Sequence, residues 1–240
     1  LDADGFYQQS RADYFPDYVE GVTTERVGGG DVEHIVVRNA AGLAYLANQG
    51  TLTFHTWLSR RHRPEHPDRM VFDLDPPDGD FAPVRDAAHL TGDFLRELGL
   101  TPYVMTTGSR GVHVVVPLDR SAEFDRVRAF ASAAAEALAQ RHPETLTVEQ
   151  RKNRRRGRLY LDVMRNAFGQ TAVMPYSLRA RPGAPVATPL AWEELDGDLT
   201  ARRYHIGNLF RRLAQIDDPW KDMRRHAVSI ATAEQALDSL

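Results

Sequence analysis

The chain has 240 residues, 42% of them hydrophobic and 26% charged, with a formal net charge of -3. That is enough to bury the core of one or two domains. No run approaches the roughly eighteen apolar residues that a membrane-spanning helix needs, and the absence of Cys excludes disulfides and thiolate metal sites and fits a cytosolic protein.

The chain opens on Leu1 in place of Met, without a secretory signal, which leaves both a fragment and a stand-alone chain as readings. Residues 1–33 mix aromatics and acids with Gly28-Gly29-Gly30 and show no clean period. Ile35 to Val37 predicts a short strand, and residues 40–49 place Leu43, Tyr45, Leu46 and Ala47 at helical spacing. Thr51 to Trp57 predicts a strand leading into a charged loop from Ser59 to Arg69.

From Met70 the pattern becomes regular. Met70 to Asp75 predicts a strand, stopped by the turn Pro76-Pro77-Asp78-Gly79. Residues 84–98 predict an amphipathic helix with Val84, Ala87, Ala88, Phe94, Leu95 and Leu98 inward and Gly99 just past its end. Pro102 to Thr106 and Val112 to Val116 predict strands around a tight turn, Gly108 to Gly111. Ser121 reads as the cap of an Ala-rich helix running to Arg141, and Leu159 to Val163 as the next strand. A further strand, Thr171 to Met174, precedes a loop from Pro175 to Pro189 and helical segments at 191–195 and 200–214. The last of these is expected to carry Arg202, Arg203, Arg211 and Arg212 on its outer face.

The order from residue 70 is β-α-β-β-α-β, the split βαβ unit of ferredoxin-like and RNA-recognition-motif folds. The class is therefore α+β. In that topology the first strand lies centrally, antiparallel to the third and fourth, and both helices cover one face. Alternation then turns Phe72 and Leu74 toward the helices and Asp73 and Asp75 toward the open face. His113 on the third strand and Asp162, with Tyr160, on the fourth join them. The expected organisation is a single catalytic domain over 1–240: an N-terminal α/β module to about residue 69, a core at about 70–190 and a helical segment at 191–240.

Chemistry follows from the residue types. Two carboxylates two apart on one strand face repel unless a cation lies between them, and hard divalent cations take oxygen ligands. Asp73, Asp75 and Asp162 together suit a two-metal centre. The turn Gly108-Ser109-Arg110-Gly111 offers N–H groups, a hydroxyl and a guanidinium to a phosphate, with His113 beside it. Each part has a bland reading: solvated turn acids, an ordinary hairpin, a satisfied strand histidine. Their convergence on one face favours phosphoryl or nucleotidyl transfer. The basic run at 151–158, with Arg154, Arg155 and Arg156, suits phosphate contacts or a solvated loop. Only Lys152 and Lys221 among the 30 basic residues are lysine, a bias that a GC-rich genome also produces.

These segments resemble a known family. Phe72-Asp73-Leu74-Asp75-Pro76, Thr107 to His113 and Leu161-Asp162 are similar to the three catalytic motifs of the archaeo-eukaryotic primase superfamily. The fuller resemblance, over about residues 5 to 220, is to the polymerase domain of bacterial DNA ligase D and its stand-alone relatives. It is carried by Gly5-Phe6-Tyr7-Gln8, Asn48-Gln49-Gly50, Phe54-His55-Thr56-Trp57, Arg165-Asn166, and the long run from Gln170 to Arg181 and on to Leu190. The resemblance implies a primase-like fold and a template-directed nucleotidyltransferase that adds deoxyribo- or ribonucleotides to a 3′ end. It implies two Mn2+ or Mg2+ ions on Asp73, Asp75 and Asp162. It assigns His55, Ser109, Arg110, His113 and Arg179 to the nucleoside triphosphate, and Phe6 and Tyr7 to the template. It implies gapped or 3′-ended DNA as partner, Ku and a ligase in non-homologous end joining, no membrane, and a place on the nucleoid in the bacterial cytoplasm.

Two departures stand out. Relatives usually carry a longer N-terminal segment that grips a 5′-phosphate, and Gln9 stands where many have Lys. The competing readings are a stand-alone primase-polymerase for gap repair or primer synthesis, a catalytically silent nucleic-acid-binding module, and a nuclease using the same metals. No ligase or nuclease motif is visible.

Overall fold

The computed structural model describes residues 5–25, 29–76 and 79–240. The chain divides into two compact units, Leu1–Leu52 and Thr53–Leu240. In the first, strands β1 (Glu20–Glu25) and β2 (Asp31–Val36) pair antiparallel and are followed by helix α1 (Ala40–Asn48). Asn39 caps the helix by accepting the Gly42 N–H at 3.0 Å, which satisfies one of the unpaired first-turn donors. Phe15, buried, meets the edges of Tyr14 and Tyr45. The strand expected at Ile35–Val37 is thus the tail of a longer hairpin. Its first arm, Glu-Gly-Val-Thr-Thr-Glu, is too polar to announce itself.

The second unit begins earlier than residue 70. Strand β3 (His55–Trp57) pairs with a later strand, and the expected charged loop is a hairpin of β4 (Ser59–Arg60) and β5 (Arg63–Pro67). Leu58, fully buried between them, packs with Val71 and Val115. Burial of this one side chain draws residues 53–69 into the larger unit, so the N-terminal module stops at Leu52.

The core then follows the expected order: β6 (Arg69–Asp75), α2 (Ala82–Glu97), β7 (Tyr103–Thr106), β8 (Val112–Pro117), α3 (Phe124–Arg141), β9 (Leu146–Thr147) and β10 (Leu159–Asp162). Strand β11 (Thr171–Val173) pairs with β3, and β12 (Thr188–Leu190) joins the main sheet. Short helices α4 (Leu209–Leu213) and α5 (Ala231–Asp238) end the chain. The six-stranded sheet runs β12-β7-β8-β6-β10-β9. Strand β6 is central and antiparallel to β8 and β10, as the split βαβ unit requires.

Phe72 and Leu74 point into one large cluster with Val84, Ala87, Ala88, Phe94 and Leu95 of α2 and Val127, Phe130, Ala131 and Leu138 of α3. Burying each Val, Leu or Phe among them contributes about 1.5–3 kcal/mol, so the core fixes the register of β6 and thereby the face its acids occupy. Five expectations change. Helix α3 starts at Phe124 behind Glu123, not at Ser121, because Ser121 turns back to Asp119 instead. The expected loop at 175–189 ends in β12, a sheet edge. The helix expected at 200–214 shrinks to α4, and Arg212 is not on its outer face. Arg212 is buried, bound through Nε and Nη2 to Glu194 at 2.9 and 2.6 Å and lying over the Tyr204 ring. The face opposite the helices is also partly covered, since Val71, Val115 and Ala172 pack together there.

Candidate active site

Register alone assembles the centre of the site. Asp73 on β6 lies directly across from His113 on β8 and from Asp162 on β10. Asp75 lies across from Tyr160. Asp73 is 8% exposed, and its carboxylate faces His113 Nε2 at 3.5 Å and Arg165 Nε at 3.3 Å. Burial pushes this carboxyl up, but His113 and Arg165 more than offset it and hold it below the usual carboxylate range. Asp162 responds oppositely. Burial pushes it up and Asp73 adds to that, against the Met164 N–H that its Oδ1 accepts at 2.8 Å.

The depth of Asp73 is set by Asn166, whose side chain is fully buried. Its Oδ1 accepts the Val71 N–H at 2.8 Å, and its Nδ2 donates to the carbonyls of Val71 and Val163 at 2.7 and 2.9 Å. The amide acts as a substitute strand, fastening β6 two residues before Asp73. Arg165 and Asn166 are the residues that motif reading left without a role. Their signal is position: a single 3-10 turn, Met164–Asn166, directly after β10 returns them to β6.

The turn between β7 and β8 presses on the end of β6. A Cβ on Gly111 would lie 1.9 Å from the Leu74 carbonyl oxygen and 2.6 Å from Asp75 Oδ1, so only glycine permits this approach. Gly108 sits at φ 63, where a side chain is strained, and its Cβ would meet Arg179 and the backbone of Val186. Thr107 closes the turn by pairing its N–H and Oγ1 with the Gly111 carbonyl, both at 3.0 Å. Ser109 N–H donates to Thr107 Oγ1 at 3.3 Å, and the Ser109 carbonyl accepts from Arg202 Nε at 2.9 Å. Arg179 Nη1 donates to the Thr107 carbonyl at 3.1 Å. Arg110 reaches back to Asp75, Nη2 to Oδ2 at 2.9 Å.

His55, on β3, completes this side. Its pKa is lowered to about 4, first by burial and then by the charges of Arg179, Arg165 and His113, so it is neutral near pH 7. Of the expected residues, Asp162 and His113 lie across from Asp73, Arg110 reaches Asp75, Ser109 and Arg179 are tied into the turn at Thr107, and His55 feels the charges of Arg179, Arg165 and His113. Arg155 has a structural job. It donates to the carbonyls of Glu149 and Gln150 at 2.9 and 2.7 Å and lies over the Tyr160 ring at 4.2 Å. Arg154 and Arg156 are exposed on the same loop. Phe6 and Tyr7 belong to the first unit and are 85% and 84% exposed there.

Among the described residues, no group of three or more His, Asp or Glu side chains is placed to hold a metal ion as the side chains stand. Asp73 and Asp75 are each turned toward a guanidinium instead. The donor chemistry still fits hard cations: carboxylate oxygens on two adjacent strands, with no thiolate in the chain. Among the described residues no helix is long and apolar enough to cross a membrane.

The chain is similar to known proteins in sequence and fold. The family described as "LigD, primase-polymerase domain" matches residues 1–220. The chain is 37% identical over 204 residues to the multifunctional non-homologous end joining protein LigD of Pseudomonas aeruginosa, covering 83% of this chain and 24% of that protein. It is 33% identical over 230 residues to the bifunctional non-homologous end joining protein LigD of Bacillus subtilis, covering 93% of this chain and 36% of that one. It thus spans between a quarter and about a third of these relatives. The solved polymerase domain from Mycobacterium tuberculosis ligase D, in complex with DNA, superposes with a TM-score of 0.86 at 29% identity, covering 94% of this chain and 81% of that one.

Proposed function

The chain belongs to the LigD primase-polymerase domain family, and from that premise we propose that it is a metal-dependent, template-directed nucleotidyltransferase. It adds dNMP or rNMP to a 3′ end in gap filling and end extension during bacterial non-homologous end joining. The observation that carries this reading is the register of Asp73 against both Asp162 and His113, with the Gly111 turn pressed on the end of the same strand.

Asp73, Asp75 and Asp162 are the residues that would hold two Mn2+ or Mg2+ ions. Bound there, such ions supply Lewis acidity, activating the 3′-hydroxyl and neutralising the leaving pyrophosphate. The chain's own residues do the positioning. Ser109 and Arg110 hold the triphosphate, Arg179 supports it from behind Gly108, and His55 meets the incoming nucleotide as a neutral imidazole. His113 fixes Asp73 and can donate to a phosphate oxygen. Phe6 and Tyr7 give the template two rings, and stacking of a base on one is worth about 1–3 kcal/mol. Arg154 and Arg156 add phosphate contacts. Ku and a ligase are the partners, and the setting is nucleoid DNA in the bacterial cytoplasm.

Primer extension on a gapped duplex with Mn2+ tests this. Extension that rises when the downstream strand carries a 5′-phosphate supports end joining. Extension indifferent to that phosphate moves the activity to stand-alone gap repair or priming. DNA binding without extension overturns the enzymatic reading in favour of a silent binding module.

A further inference from the structure

We infer that Arg110 is a positioning residue that couples triphosphate to cation: it closes on Asp75 when no triphosphate is present, and a triphosphate draws it away and releases that carboxylate. The inference rests on the functional reading above and adds a device within it.

Three observations carry it. Arg110 Nη2 lies 2.9 Å from Asp75 Oδ2, yet the two side chains are 57% and 45% exposed. A pair that open to water is easily exchanged for a stronger partner. The Arg165–Asp73 contact is different, because the Asp73 side chain is only 11% exposed. Second, the backbone under Arg110 is pinned. Ser109 is tied through its N–H to Thr107 and through its carbonyl to Arg202, while Gly111 lies against Leu74. The turn stays in place and only the Arg110 side chain has to swing. Third, Asp75 ends β6 two residues beyond Asp73, on the same face. The carboxylate that Arg110 neutralises therefore belongs to the acid group, and the guanidinium belongs to the phosphate turn.

The consequence is reciprocal coupling. Triphosphate alone binds against the cost of opening the pair. A cation that takes Asp75 frees Arg110 for phosphate, so each ligand favours the other beyond their direct attraction.

The test needs no metal. Binding of a non-hydrolysable deoxynucleoside triphosphate is measured by calorimetry in EDTA, on the full chain and on Asp75→Asn, Arg110→Gln and the double variant. Both side chains are exposed, so all four proteins should fold. Asp75→Asn should tighten binding about two- to five-fold, the range of an exposed ion pair, and should have no effect in the Arg110→Gln background. An equal gain in both backgrounds overturns the inference, because the loss of a negative charge would then act through the general field. No gain in either background overturns it too. Failure of the underlying functional reading looks different: the unmodified chain would bind no triphosphate with or without Mn2+.

Discussion

The two ends of β6 handle charge in opposite ways. At its start, Asp68 is one carboxylate answered by two guanidiniums, Arg60 and Arg69, the latter at 3.1 Å. At its end, Asp73 meets His113 at 3.5 Å and Arg165 at 3.3 Å, and Asp75 meets Arg110 at 2.9 Å. The first group is settled by the fold, since its acid is mostly covered. In the second, Asp73 is as covered as Asp68, and only the Asp75–Arg110 pair, which faces water, is settled provisionally. Charge density therefore does not mark the site. What marks it is that one pair there, Asp75 with Arg110, stands open to water.

Asp73→Asn should break this contrast most strongly. It keeps the shape of the side chain and removes the charge between His113 and Arg165, and extension should fall about 10²–10³-fold or more while DNA binding survives. Asp68→Asn, the matching change at the other end, should leave extension intact and cost about 1–3 kcal/mol of stability, read by urea unfolding. Comparable losses of extension in both variants would abolish the distinction. Asn166→Leu comes next. It leaves the Val71 N–H and the Val71 carbonyl without their buried partner, while the Val163 carbonyl keeps the backbone N–H of residue 166 at 3.1 Å. At about 1–3 kcal/mol for each orphaned group, it should destabilise by several kcal/mol, and an unchanged unfolding midpoint would show that water replaces the amide.

The loop at 151–158 repeats the contrast on a smaller scale. Arg155 is committed to backbone carbonyls and Tyr160, whereas Arg154 and Arg156 are exposed. Replacing Arg154 or Arg156 with Ala should weaken DNA binding more at low salt and lower the slope of log affinity against log salt by about 0.9 for each phosphate lost. Arg155→Ala should lower the melting temperature with the salt slope unchanged. A reduced slope for Arg155→Ala would give it a direct phosphate contact.

The core strands were legible because both of their faces are constrained. Phe72-Asp73-Leu74-Asp75 alternates strictly, and the helices between strands show clear apolar faces, so the order and antiparallel pairing of β6, β8 and β10 followed. Short strands fixed by distant partners were not legible. The pair β4–β5 exists because Leu58 is buried, and β12 exists because β7 leaves an edge open. Likewise the motifs gave the acids and the glycine turn at 108–111, but not the role of Asn166. Its amide is indistinguishable in sequence from a surface turn residue until the 3-10 segment folds back on β6. Arg212 and Arg155 misled for the same reason: a string of arginines does not reveal which one finds a buried partner.

The last expected effect is a pH dependence centred on His55. Its pKa in the folded protein is about 4, against 6.5 for an unhindered imidazole, through burial and then Arg179, Arg165 and His113. The unfolded chain takes up this proton as pH falls through 6.5, while the folded chain refuses it until about 4. Stability from this group is therefore present above 6.5 and lost as pH drops toward 4. Asp73, held below 3.8, loses its contribution only at lower pH, so the two limbs separate. Asp162, pushed above 3.8, acts in the opposite sense and partly masks the fall. The difference between the chain and His55→Gln isolates the His55 limb: the variant should show a flatter decline between pH 6.5 and 4. NMR titration of the His55 ring should give a midpoint near 4, rising when a triphosphate neutralises Arg179. A midpoint at 6.5 in the free protein would mean that the arginines do not converge on His55, and the nucleotide side of the site would have to be redrawn.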